Sequence, residues 1–140
     1  MRESILVYDR SEPSNSEAFK RLPAFFQCFI TEKINFLKSI CYEAFSGNCK
    51  YRPIFTSGFR SYAVNKACGG VSDSLHLFGL AVDFILVGKD WGEDIKPSLY
   101  YDICKDILMP VVRVYNMQHE DCRVQAIVEK THIHFQFDRR

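Results

Sequence analysis

The feature that most constrains this fold is residues 80–87, Leu-Ala-Val-Asp-Phe-Ile-Leu-Val, an apolar run broken by one carboxylate. Eight residues is strand length, so the run predicts a central strand buried on both faces. Asp83 is the anomaly. A buried charge without a partner is costly, so the fold must bring one to it. His76 lies seven residues upstream, with Gly79 and Ala81 between. On a helix that spacing would put both side chains on one rod, and Gly79 argues against the rod. The sequence therefore predicts His76 in a loop, a turn at Gly79, and Asp83 on a strand over residues 81–87. Taken alone, this pair fits either a metal site or a buried ion pair.

A second histidine segment bears on that choice. Residues 132–137 read His-Ile-His-Phe-Gln-Phe. Alternate side chains of a strand share a face. Ile133, Phe135 and Phe137 then point into a core, and His132, His134 and Gln136 point away from it. The preceding strand, residues 123–129, places Gln125, Ile127 and Glu129 on one face. Lys130-Thr131 leaves room for a tight bend that brings Glu129 over the same pocket. His76, Asp83 and one of His132 or His134 would make a three-ligand site with an open position, the form of a catalytic zinc. A water bound there would have its pKa lowered from about 16 toward about 7. A nearby carboxylate could take its proton. A structural zinc would need four protein ligands, and the cysteines are not grouped to supply them.

The chain has 140 residues, which fits one domain, residues 1–140. Formal charge is +1, so there is no broad basic field for nucleic acid. No apolar run approaches the ~18 residues of a membrane span. The six cysteines, at 28, 41, 49, 68, 104 and 122, form no CxxC pair. The N-terminus has no apolar signal region, so cytoplasmic synthesis and reduced thiols are expected. Cys28, Cys41 and Cys104 fall in apolar helical patterns and read as small buried hydrophobes. A monomer is expected.

In chain order, residues 5–8 read as a short strand in an extended arm. Ser14-Asn-Ser-Glu17 has the form of a capping box opening a short helix that stops near Pro23. Phe26, Phe29, Ile30, Ile34, Leu37, Ile40, Cys41 and Phe45 recur at helical steps and predict a core helix closed by Gly47-Asn48. Residues 51–56 read as a strand, kept to an edge or start by Pro53. A turn over residues 57–61 and a short helix over 61–67 follow, closed by Gly69-Gly70. Residues 88–96 form a polar loop containing Trp91. Pro97 opens a helix whose stripe is Leu99, Tyr100, Ile103, Cys104, Ile107 and Leu108. Pro110 is expected to end it, with a strand over 111–115 and a polar turn over 116–121.

Several of these segments resemble one family. Ser74-x-His76-x-x-Gly79-x-Ala81-x-Asp83 resembles the SxHxxGxAxD motif of the zinc D-alanyl-D-alanine carboxypeptidases. Glu129-Lys-Thr-His-Ile-His134 resembles the Glu plus HxH segment of the same superfamily, which includes the lysostaphin-type endopeptidases and the hedgehog signalling domain. Thr56-Ser-Gly-Phe-Arg60-Ser61, Val64-Asn65 and Gly69-Gly70 look like its SGYRS…VN…GG stretch. The likeness spans residues 54–87 and 123–137, in the family's order.

The resemblance implies an α+β fold, a small antiparallel sheet flanked by helices. It implies zinc held by His76, Asp83 and His134, with Glu129 as general base. His132, where the carboxypeptidases often carry Trp, would stabilise the oxyanion. Arg60 would pair with a substrate carboxylate, a task suited to a guanidinium fork, although a fold-stabilising ion pair is its alternative. Ser74 would hydrogen-bond the substrate or orient the His76 loop, or merely cap a turn. The implied reaction is hydrolysis of a peptidoglycan stem peptide next to D-alanine, as carboxypeptidase or endopeptidase. Signal-less members of the family are often phage-encoded, which implies a lytic or virion role on the cell wall. The rival reading is a zinc-binding interaction module of the hedgehog kind, without catalysis.

Overall fold

The computed structural model describes residues 3–47, 50–90 and 92–138. Trp91, Asn48 and Cys49 lie outside the described residues. The fold is α+β: a four-stranded antiparallel sheet with helices. The strands are β1 (Tyr51–Ser57), β2 (Ala81–Gly88), β3 (Val124–Val128) and β4 (Ile133–Phe137), in the order β1-β2-β4-β3. β2 is therefore interior, as its apolar run requires. Pro53 sits on edge strand β1, where its missing N–H breaks no ladder.

Strand alternation separates two faces. Val82, Phe84 and Leu86 of β2, with Ile133 and Phe135 of β4, enter the hydrophobic core. Helix α2 (Ala24–Ala44) covers that side. Ile30, Ile34, Leu37 and Cys41 are nearly or fully buried. Helical spacing predicts that stripe, but not its upper end: Phe26, Phe29 and Cys28 are exposed. Phe26 lies against the ring of its neighbour Phe25 and Lys33 sits over Phe29, so these rings are met by side chains of their own helix.

Helix α1 (Pro13–Arg21) starts two residues earlier than a capping box at Ser14 would allow. Glu12 is the N-cap and Pro13 occupies the first turn. Ser14 hydrogen-bonds Ser61 at 2.7 Å, and Asn15 Oδ1 accepts from the Ser61 N–H at 2.7 Å. A tertiary contact has taken the hydroxyl that a local cap would have used. Residues 5–8 form no regular strand. Ile5 N–H donates to the Phe55 carbonyl, and Tyr8 makes one isolated parallel bridge with Phe59.

The largest departure lies between β2 and β3. After α3 (Tyr62–Ala67), which precedes β2, a 3-10 turn (Pro97–Leu99), α4 (Tyr100–Ile103), a π segment (Cys104–Leu108) and α5 (Met109–Gln118) follow one another without a break. Pro110 does not end the helix, and residues 111–115 are helical rather than a strand. The π segment explains this. The Met109 N–H bonds back to Cys104, a five-residue step that re-registers the ladder where proline has no N–H to give. Val112 then continues the buried stripe onto the core. Leu99, by contrast, is exposed. The polar turn expected over 116–121 begins only after Gln118.

Candidate metal centre and substrate cleft

The site is built on one row across the sheet. Ser57 pairs with Asp83 and Asp83 pairs with His134; on β4, His134 pairs with Ile127. A β-bulge makes the first pairing possible. Phe55 pairs with Phe84 and Ser57 with Asp83, so Thr56 is the extra residue. A regular strand would have sent Ser57 to the other face.

His76 arrives from outside the sheet, in a 3-10 turn (Leu75–Phe78) rather than an irregular loop. Ser74 caps that turn, its Oγ accepting from the His76 N–H at 3.3 Å. Gly79 ends it with φ +70, and a Cβ there would meet Ile30 at 2.7 Å. Glycine is required on both counts. Asn65 secures the neighbouring loop. Its Nδ2 donates to the Val71 carbonyl at 2.8 Å, and Gly70 packs on its amide with no room for a side chain.

Asp83 Oδ1 lies 3.1 Å from His76 Nε2 and 2.9 Å from His134 Nδ1. One ligand atom from each of the three residues falls within 4.8 Å of the others. The remaining nitrogens are committed elsewhere. His76 Nδ1 donates to the Gly58 carbonyl at 2.8 Å. A carbonyl only accepts, so the neutral ring carries its proton there. In that neutral ring His76 Nε2 turns a lone pair toward a carboxylate oxygen; in the protonated ring it donates to it. Protonating that nitrogen would charge a ring only 2 % exposed, and burial indeed lowers the His76 pKa, with Asp83 opposing. A cation between Nε2 and Oδ1 satisfies both atoms, whether it is a proton on the ring or a metal ion. His134 is held likewise, its Nε2 2.7 Å from Gln136 Oε1. The residues present fit a divalent metal with nitrogen and oxygen ligands.

The charges follow the same geometry. Burial opposes ionisation of Asp83. Hydrogen bonds from His134 and His76, and the charges of His76 and His132, outweigh it and hold the carboxyl far below the usual range. Burial also works against a charged His134. Its hydrogen bonds to Asp83 and Gln136, and the charges of Asp83 and Glu129, leave its pKa raised.

Arg60 takes the outer oxygen of Asp83, Nη2 to Oδ2 at 2.7 Å. Its Nε donates to Ser57 Oγ at 2.9 Å and its Nη1 to Asn65 Oδ1 at 3.4 Å. His132 Nε2 stands 3.7 Å from the same Oδ2. Glu129 lies opposite His132 at the hairpin end, its N–H donating to the His132 carbonyl at 2.9 Å. Glu129 is exposed and His132 half-buried. A cleft of about 700 Å³ joins all seven residues singled out from the sequence: Arg60, Ser74, His76, Asp83, Glu129, His132 and His134. Asp9, Glu12 and Val71 line it as well.

Two partners of the histidines escaped the sequence reading. The Gly58 carbonyl is backbone and leaves no side-chain signal. Gln136 does leave one, since parity places it beside His134 on the polar face.

A family model described as Peptidase M15 matches residues 37–132. The match takes in His76, Asp83, Glu129 and His132; His134 lies just beyond it and is tied to the site by its strand pairing with Asp83. Searches of curated proteins and of solved structures each returned no match. Among the described residues, no helix is long and apolar enough to cross a membrane. M15 peptidases are metallopeptidases, typically zinc-dependent, and act on peptides. With the matched span covering more than half of the sequence, this chain belongs to the peptidase M15 family.

Proposed function

We propose that residues 1–140 act as one zinc-peptidase domain that hydrolyses peptidoglycan stem peptides next to D-alanine. The observation that carries the reading is the convergence of His76 Nε2 and His134 Nδ1 on one carboxylate oxygen, Asp83 Oδ1, at 3.1 and 2.9 Å. His76, Asp83 and His134 would hold the zinc. When bound, zinc supplies Lewis acidity and lowers the pKa of a coordinated water.

The chain's own groups do the rest. Glu129, on the hairpin at the cleft, accepts the proton of the attacking water and returns it to the leaving amine. His132 faces the cleft beside it and donates to the oxyanion as charge develops. Arg60 meets a substrate carboxylate. Its Nη1 is held by a neutral amide at 3.4 Å, so an incoming carboxylate competes with Asn65 and leaves the Asp83 pair in place. Ser74 keeps the His76 turn in position by accepting from the His76 N–H. Carboxypeptidase action requires the substrate's terminal carboxylate to reach Arg60; endopeptidase action does not. A cell-wall substrate is compatible with a phage lytic role.

Mass spectrometry of a muropeptide digest tests this. Zinc-loaded protein is expected to release D-alanine or to cut beside it. Glu129→Ala is expected to lower the rate about 10²- to 10⁴-fold while zinc stays bound at one equivalent. Unchanged turnover in that variant would sink the base assignment. Zinc uptake without cleavage of any fragment would select a binding module of the hedgehog kind.

A further inference from the structure

Each histidine of the cluster shows one nitrogen to Asp83 and the other to an acceptor, but the two acceptors differ in kind. The Gly58 carbonyl that holds His76 is backbone and cannot reverse. The group that holds His134 is a side-chain amide, which presents oxygen or nitrogen depending on its rotation. With Oε1 toward the ring, Gln136 accepts the Nε2 proton and leaves Nδ1 free as a ligand. With its NH₂ toward the ring, Gln136 would donate to Nε2 and force the proton onto Nδ1, where metal must bind.

Something must therefore choose the amide's orientation. Gln125 is the cross-strand partner of Gln136, and Gln136 Nε2 donates to Gln125 Oε1 at 3.4 Å. The chain of contacts runs from Asp83 Oδ1 through His134 and Gln136 to Gln125, on one face of β4 and β3.

We infer that Gln136 is a positioning residue that selects Nδ1 of His134 as the metal-binding nitrogen, with Gln125 setting the direction of its amide. The inference rests on the metal-site reading above. It assigns to a glutamine the task that a carboxylate or backbone carbonyl usually performs behind a ligating histidine.

The test compares wild type, Gln136→Met and Gln136→Glu. Methionine keeps the length and removes the acceptor; glutamate keeps the acceptor and cannot reverse. Zinc affinity is read by competition with a chromophoric chelator. Histidine ¹H–¹⁵N spectra of the zinc-loaded proteins report the Nε2 proton of His134. Wild type should show that proton protected from exchange. Gln136→Met should bind zinc about 10- to 100-fold more weakly and lose the protection. Gln136→Glu should restore both. Gln125→Ala should weaken zinc by a smaller factor. Wild-type affinity together with a protected Nε2 proton in Gln136→Met would overturn the inference and leave the metal site standing. Failure of wild type itself to take up zinc, with His76 and His134 spectra unmoved, would overturn the metal-site reading beneath it.

Discussion

The two faces of the four-stranded sheet carry opposite chemistry on the same backbone. On one face Val82, Phe84, Leu86, Ile133 and Phe135 pack against α2 and the helices that follow β2. On the other, the same strands present Asp83, His134 and Gln136, with Glu129 and His132 at the hairpin end. Both faces are covered at their centres: Phe84 is fully buried and Asp83 is 4 % exposed. What differs is how coverage is made tolerable. The apolar face needs only contact, because removing hydrocarbon from water is itself favourable. The polar face needs every lone pair answered, because an unsatisfied buried polar group costs more than a typical hydrogen bond contributes. Asp83 is answered by two histidines and an arginine, and the histidines by Gly58 and Gln136. Stability should therefore be concentrated on one face and metal chemistry on the other.

Substitutions that separate the faces test this, beginning with the largest effect. His134→Ala is expected to abolish stoichiometric zinc and with it the activity, while the far-ultraviolet dichroism stays that of the wild type. His132→Ala is expected to keep zinc, with a rate loss near the 10²- to 10³-fold of a missing oxyanion donor. The reverse pattern by metal analysis would exchange the two roles. Next comes Phe84→Ala, on the neighbouring residue but the opposite face. It should cost about 3–5 kcal/mol in urea unfolding and leave one zinc bound to the folded fraction. If Phe84→Ala instead lost zinc selectively, the faces would not be separable.

Chelation comes third. At zinc a thousandfold above its Kd, binding to the folded state alone stabilises by about 4 kcal/mol, so a chelator should lower Tm by roughly 10 °C. The same drop is expected in Glu129→Ala, whose side chain stands outside the ligand set. A Tm indifferent to chelator would speak against a folded-state metal site.

The smallest effect belongs to the apolar face. Burial pushes the Cys104 thiol up to about 12, and raises Cys41 as well. A raised folded-state value means the contribution is fully present below the ordinary thiol value of 9.0 and is lost as pH climbs toward about 12. Urea unfolding should show falling stability across that alkaline window, and Cys104→Val should flatten it. No change in slope with the substitution would reject the assignment.

Much of the site was legible because its residues sit on regular strands. Alternation alone puts His132, His134 and Gln136 together, and an interrupted apolar run marks Asp83 as buried. Helical periodicity found α2 by the same logic, although it overran at Phe26, Phe29 and Cys28, where the pattern continues but the side chains stay exposed. The errors came where a local rule met a distant partner. Ser14 had the spacing of a cap and was taken by Ser61. Pro110 had the force of a helix stop and was absorbed by a π segment. Arg60 stood out as a candidate for a substrate carboxylate or for a fold-stabilising ion pair; the pair it makes with Asp83 follows a bulge at Thr56 that no sequence pattern announced.

By itself the sequence determined which residues are candidates for the chemistry and which face of β2 and β4 the strand-borne ones occupy, because side-chain direction on a strand follows from position with period two. Only the tertiary structure decided the order β1-β2-β4-β3, the register that sets Asp83 opposite His134, and the Gly58 carbonyl that fixes the His76 imidazole. Those depend on strand pairing and backbone carbonyls distant in the chain, and the backbone carries the same groups whatever the side chains spell.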